Sequence, residues 1–570
     1  MKHDNPSFFR TLFGGGRRTR RRPPLPLYVP LQARPDKESP HNIEALWNQV
    51  TERRPGPLLL MQELNRYLDR INPLPLPQEQ RMRIGNILLG ELGAAATGLF
   101  ARFFPQGGGI PETREQRDGI SHAVRATEQL GISYKLLFRR AWGGEPCVDH
   151  GAEEELLTTA LRVLECLRLE QMLRAFRYQK LPQYAWRDAH QLLFALRDGW
   201  PVTTRLPLKL RFSIEDAGGR LELLPPSASV EELYRSLALT GLLDVISWPI
   251  PLMCRTGPYL DHLGELPPIV VDHGKALASG QAVIYRDRGA PPSFERSRDP
   301  LGESLLIDLT PLLRQAGEEH VALRAAPAET LEGESLRGLA PGEREVFLEL
   351  LLQHLQPQQR HDPRQRVFET HRARVYAGFE PIYRLFREIA RKQIQEPPLQ
   401  EALQEHASER AAPDTAGLAD LGWVVADEGP GGVQLRRREQ AYSLPLFVGR
   451  LVAYNTGDHD IGDTRLGYLV RIQRQGDDEV EVAIARLQGR IRAAMVDQLE
   501  AKEGHSLPVL LIQDRDGKAR LLCDNRHTFL CGERLAVVDG DHHYTAALGD
   551  AVLARGDFTL FDLHTAEPRG

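Results

Sequence analysis

Between Gly422 and Arg438 an apolar run, Trp423-Val424-Val425-Ala426, meets Asp427-Glu428-Gly429-Pro430-Gly431-Gly432. A second alternating run, Val433-Gln434-Leu435, leaves that break and ends in Arg436, Arg437 and Arg438. Two strand-type runs around an acidic, glycine-rich turn read as a β-hairpin. A lone hairpin cannot bury its apolar face, so this stretch obliges its neighbours to supply more strands. Candidates lie on both sides: Val367 to Phe379, Leu446 to Tyr454, Leu466 to Gln473, and Glu479 to Leu487, in which Val480, Val482 and Ile484 alternate with Glu479, Glu481 and Ala483. The Gln475-Gly476-Asp477-Asp478 turn joins the last two. Further on, Val509 to Gln513, Arg520 to Cys523, Arg534 to Val538, Tyr544 to Leu548 and Phe558 to Leu563 form a second set. Short strands so spaced, with little helix among them, indicate small barrels.

The first part of the chain has another period. From Asn42 to about Arg197, apolar residues recur at helical spacing: Ile43, Leu46, Trp47 and Val50, then Leu58, Met61, Leu64, Tyr67 and Leu68. Breaks at Asn72-Pro73, Gly107 to Gly109 and Gly143-Gly144 divide it into four to seven helices, a bundle or a solenoid. Residues 205–345 mix strand candidates (Leu206 to Ile214, Ile269 to Val271, Ala282 to Tyr285, Leu305 to Leu309) with a helix from Val230 to Leu243. Helices are expected again at Arg344 to Leu355 and Pro381 to Gln393. The expected fold is multidomain α+β, divided into a basic, proline-rich arm (1–40), a helical domain (41–200), an α+β middle (201–355), a first barrel (356–495) and a second small β module (496–570).

The 570 residues are too many for one core. A net charge of -5 argues against general nucleic-acid coating, and no DNA partner is expected. Arg17, Arg18, Arg20, Arg21 and Arg22 form a local exception that suits anionic membrane or RNA phosphate. The five cysteines contain no C-x-x-C pair, so neither a zinc site nor a disulfide framework is expected. With no signal-peptide core, the expected location is the cytoplasm.

The hairpin and its flanks resemble the PilZ domain, a six-stranded barrel family that binds cyclic di-GMP. In that family an R-x-x-x-R segment precedes the first strand and a [DN]-x-S-x-x-G turn follows between later ones. Arg360-His361-Asp362-Pro363-Arg364 has the arginine spacing, and Asp427-Glu428-Gly429-Pro430-Gly431-Gly432 has the aspartate and closing glycine, with Gly429 in the serine position. A long insert separates the two, which the family keeps close. The resemblance implies a site in which Arg360 and Arg364, helped by Arg366, Arg372 or Arg374, grip phosphates and guanines. Asp427, Gly429, Gly431 and Gly432 would complete the pocket. It also implies an alternative, a degenerate barrel that reads a protein partner without nucleotide.

No P-loop, G-x-S-x-G or H-E-x-x-H motif is present, and no catalytic residue or metal ligand is assigned. The loops Asp458 to Asp463 and Asp539 to Tyr544 hold potential metal ligands, but hairpin turns favour the same residues. A binding protein, with cyclic di-GMP as its ligand and no cofactor, is the expectation.

Overall fold

The structure, a computed structural model, describes residues 25–29, 43–103, 113–143, 152–216, 219–297, 302–325, 336, 338–339, 341–356, 372–395, 420–438, 445–456, 461–475, 479–499, 506–514, 516–527, 529–540 and 542–565. Six helices open it: α1 (Ile43–Glu52), α2 (Pro57–Ile71), α3 (Gln78–Phe103), α4 (Arg114–Trp142), α5 (Ala152–Ala175) and α6 (Gln183–Arg197). Their starts follow from local chemistry. Pro57 opens α2, where its missing N–H costs nothing, and Thr113 caps α4 in a reciprocal box with Gln116. By length and composition alone α3 could cross a membrane, yet its Leu88, Leu89, Leu92 and Ala96 are buried in the protein core.

The middle is α+β, as expected. Strands β1 (Leu206–Pro207) and β4 (Ser227–Ala228) pair, as do β2 (Ser213–Asp216) and β3 (Gly219–Glu222). Helix α7 (Val230–Leu242), capped by Ser229 and Glu232, leads to α8 (Ile250–Asp261). A three-stranded sheet, ordered β5-β7-β6, comprises β5 (Ile269–Val271), β6 (Gln281–Tyr285) and β7 (Ser304–Asp308), before α9 (Thr310–Ala325) and α10 (Pro341–His354). The sequence reading has no counterpart for α8 or α9. Pro251 and Pro311 sit in first turns, where proline is tolerated, and Pro258 lies inside α8.

Two closed six-stranded antiparallel barrels follow. The first comprises β8 (Arg372–Ala377), β9 (Asp420–Gly429), β10 (Gly432–Arg438), β11 (Leu451–Thr456), β12 (Arg465–Gln475) and β13 (Glu479–Arg486), around the ring as β10-β13-β12-β11-β8-β9. Between β8 and β9 lies α11 (Phe379–Gln395). The second comprises β14 (Arg490–Gln498), β15 (Leu507–Gln513), β16 (Ala519–Asp524), β17 (Arg534–Asp539), β18 (His542–Arg555) and β19 (Phe558–Thr565), closing as β14-β15-β16-β19-β18-β17. Strand β14 spans the division drawn after residue 495 and belongs to the second barrel. Its Arg490, Arg492 and Asp497 left too little apolar alternation for it to be read from sequence.

One hydrophobic cluster runs from Leu25 and Trp47 through the helices and the middle strands to Trp423, Val452 and Ile484 inside the first barrel. The second barrel has its own core, including Val496, Val509, Leu521, Leu535 and Leu563. A third cluster joins the barrels around α11: Ile382, Leu385 and Phe386 pack with Leu451 of the first and Leu510, Ile512 and Leu560 of the second. The barrel is also tied to the helices by main chain, since the Arg474 amide donates to the Tyr178 carbonyl at 3.1 Å.

Candidate functional site

The β9–β10 hairpin is tighter than its sequence suggests. Gly429 pairs with Gly432, so the turn is Pro430-Gly431 alone, and Asp427 and Glu428 lie in the ladder opposite Gln434 and Val433. The expected turn from Asp427 to Gly432 is corrected to that extent. A bulge is responsible: Asp427 pairs with Gln434 but Val425 with Leu435, leaving Ala426 as the extra residue. The apolar alternation therefore changes phase just where the sequence turns acidic.

Pairing and burial sort the side chains. Trp423, Val425, Val433 and Leu435 fill the barrel. Glu428, opposite Val433, shares their side at the barrel mouth, where it is ion-paired to Arg465, the first residue of β12. Arg486, the last residue of β13, reaches the same end, since Gly467 pairs with it two positions past Arg465. Burial, then the nearby Arg486, holds the Arg465 guanidinium below its usual pKa range. Asp427 and Gln434 occupy the alternate, outer side.

Strand β8 runs antiparallel to β9 and begins opposite its middle. Arg372 stands opposite Val424, three residues short of Asp427, roughly 10 Å along the strand. Arg374 pairs with Leu421 on one side and Asn455 on the other, and both arginines are exposed, on the face opposite Ala373 and Val375. The structure thus brings Asp427, Glu428, Arg465 and Arg486 to one end of one barrel, with Arg372 level with the middle of β9 and Arg374 opposite Leu421, six residues along β9 from Asp427. Arg360, Arg364 and Arg366 lie outside the described residues. Arg465 and Arg486 went unremarked in the sequence; the available signal was their position at the start of one strand and the end of its antiparallel neighbour.

The glycines divide. A Cβ on Gly432 would lie 2.0 Å from the Ile484 carbonyl oxygen, so packing of β10 on β13 explains this glycine by itself. Gly429 and Gly431 face open space. The three-arginine run also divides. Arg436 pairs with Glu479 and Glu481 at 3.3 Å each, Arg437 is buried with its guanidinium 5.8 Å from the Trp423 ring, and Arg438 is exposed. It is therefore no single phosphate-binding patch.

Outside the barrels, His320, Glu345 and Glu349 bring ligand atoms within 4.8 Å of one another. Arg324 already bonds both glutamates, at 2.6 and 3.1 Å, and ties α9 to α10. Of the two loops singled out in the sequence, 539–544 is the β17–β18 hairpin, with Asp539 paired to His542. In the other, 461–463 form a 3-10 turn and 458–460 lie outside the described residues, as do Arg17 to Arg22.

Residues 55–247 match the family model for the N-terminal domain of the cyclic-di-GMP receptor FimW. The match covers α2 to α7 and the 3-10 turn Val245–Ser247, about a third of the chain, and ends ahead of both barrels. No curated protein matches the chain.

Proposed function

We propose that this protein is a cyclic-di-GMP receptor and that the dinucleotide binds at the hairpin end of the first barrel. The observation that carries the reading is the likeness of residues 55–247 to the N-terminal domain of a cyclic-di-GMP receptor. The barrel end supplies suitable chemistry for such a ligand. Arginine grips phosphate bidentately and also stacks on or hydrogen-bonds guanine, and Arg372 and Arg374 are exposed beside the strand that carries Asp427. A carboxylate accepts from guanine donors, the role proposed for Asp427. Arg360, Arg364 and Arg366 precede β8 and would contribute as the chain enters the barrel at that end. Strand β12 then offers a route for the signal, from Arg465 at the mouth to Arg474, which bonds the Tyr178 carbonyl of the helical part.

Calorimetry of the full chain with cyclic di-GMP tests this. Saturable heat is expected, and Arg372→Ala/Arg374→Ala and Arg360→Ala/Arg364→Ala should each weaken binding at least tenfold, about 1.4 kcal/mol. No heat at high dinucleotide concentration would remove the reading. Two observations favour the alternative of a barrel that reads a protein partner without nucleotide: glycine at 429 in the serine position, and a packing role that accounts for Gly432.

A further inference from the structure

The two barrels meet where the β18–β19 turn, Gly556-Asp557, reaches the loop ahead of β11. Asp557 Oδ1 accepts the Leu451 amide at 2.9 Å, and Oδ2 lies 3.4 Å from Arg450 Nε. A Cβ on Gly556 would stand 2.7 Å from the Phe447 ring. One on Gly449, whose φ is +90°, would stand 2.9 Å from the Gly556 nitrogen. The two main chains therefore cross at a distance that leaves no room for side chains.

This crossing closes one side of a cavity of 490 Å³. Phe447 and Val448 line it from the first barrel and Ala554 from the second, while Ile250 and Leu252 of α8 and Val346 of α10 supply the wall from the middle of the chain. Protein interiors leave few voids larger than a water molecule. An apolar space of this size, where the middle and both barrels meet, falls in the range of about 300–1,000 Å³ typical of small-molecule sites, which favour domain interfaces. Its charges are unequal. Arg555 is half-buried, its Nη1 donates to the Ala554 carbonyl at 2.9 Å and its guanidinium lies 5.8 Å from the Tyr468 ring; among the described residues no carboxylate pairs with it. Asn525 fixes its main chain, donating from Nδ2 to the Arg555 carbonyl at 2.6 Å. Glu343, the carboxylate of the lining, is exposed and stands in the first turn of α10, whose N-terminus offsets its charge. Helix α8 opens on the same wall with neither a side-chain cap nor an acidic residue in its first turn. The charge left unmatched is thus the cation.

We propose that this cavity binds a fatty acid, with the acyl chain among Ile250, Leu252, Val346 and Phe447 and the carboxylate paired with Arg555. The chain takes up apolar space that the protein's own side chains leave open. The head group gives Arg555 the anion that the protein does not, in a partly desolvated setting where a charge-assisted pair is strong. A fully apolar ligand would leave that cation unmatched, and a cationic one would be repelled by it. Because the walls come from α8, α10 and both barrels, an occupied cavity ties the middle of the chain to the barrels. The site is distinct from the dinucleotide site proposed at the β9–β10 hairpin, since none of its lining residues belongs to β8, β9 or β10.

The test titrates the full chain with cis-parinaric acid, a fatty acid that fluoresces when it leaves water, and then displaces it with dodecanoate, dodecanol or dodecylamine. A saturable rise in fluorescence is expected, with dodecanoate displacing the probe at least tenfold better than the alcohol or the amine. Arg555→Gln should weaken dodecanoate at least tenfold and remove that preference. Val346→Trp, which fills the cavity from a half-buried position, should abolish binding of the probe. No saturable rise overturns the proposal, and so does native-strength binding to a folded Val346→Trp variant, which would place the probe elsewhere. Equal displacement by the three competitors overturns the pairing with Arg555. Where Val346→Trp does not fold, hydrogen exchange of the native chain decides: saturating dodecanoate should slow the amides of residues 447–451 and 554–557, and unchanged protection there refutes the site.

Discussion

Gly432 and Gly431 are adjacent in the same hairpin and look alike in the sequence, yet the structure gives them different duties. A methyl group on Gly432 would meet the Ile484 carbonyl at 2.0 Å, a backbone atom that cannot yield without separating β10 from β13. Gly432→Ala should therefore cost at least about 2 kcal/mol, the scale of overpacking against a rigid neighbour. Gly431→Ala meets no atom within 4 Å and should stay within about 0.5 kcal/mol. Urea unfolding of the two variants checks this, and equal costs would refute the packing role. The same residues mark how far the site was legible. Asp427 and the arginines of β8 stood out by residue type and by their nearness to strand ends. The bulge at Ala426 did not, because it arises from pairing with Gln434 and Leu435 eight and nine residues later. Arg465 and Arg486 were hidden for a related reason: what makes them notable is that β12 and β13 begin and end at the hairpin's end of the barrel, a property of the ring and of no single segment.

Among the elements, those whose apolar period is strong and local were readable, and α11 is the clearest. Ile382, Leu385, Phe386 and Ile389 fall at helical spacing on one buried face. The opposite side carries Arg384 and Lys392, paired with Glu380 and Glu388 four residues earlier. What the period could not tell is that this face serves both barrels at once, with Leu451 and Leu466 on one side and Leu510 and Leu522 on the other, while the Tyr383 hydroxyl reaches Met495 of β14 at 3.0 Å. Leu385 is fully buried there. Leu385→Ala should cost about 2–5 kcal/mol, the lost transfer energy plus the cavity left behind, whereas Arg384→Ala on the wet face should change stability by no more than about 0.5 kcal/mol. Urea titrations of both variants measure it; a loss below about 1 kcal/mol for Leu385→Ala would mean that α11 does not hold the barrels together. Strand β14 shows the opposite case, since a partner supplies most of the burial that its own composition fails to announce.

At the scale of the whole molecule, the helical part and the middle cannot be separated where the sequence changes period, near residue 200. Phe212 packs edge-on against Phe100 of α3 with ring centroids 5.0 Å apart. Gly93 has no side chain where the Arg211 backbone crosses α3: a Cβ there would lie 2.3 Å from the Arg211 carbonyl oxygen. Glu165 of α5, fully buried, accepts the Lys209 and Leu210 amides at 2.7 and 2.8 Å and is ion-paired to Arg162. Burial pushes its carboxyl up while Arg162, and then those amides, pull it down, so residues 206–212 supply part of what makes the buried charge tolerable. A fragment of residues 41–200 would keep its helices by periodicity but lose the amides that help satisfy Glu165 and the ring that covers Phe100. It should retain helical circular dichroism and unfold broadly in urea with a low midpoint, as a collapsed state without fixed packing does. A fragment of residues 25–355, which keeps residues 25–29, the strands and α7 to α10, should unfold in a sharp, cooperative transition. A transition in 41–200 as steep as that of 25–355 would show that the bundle closes its own core, and that the strands after residue 205 are only attached to it.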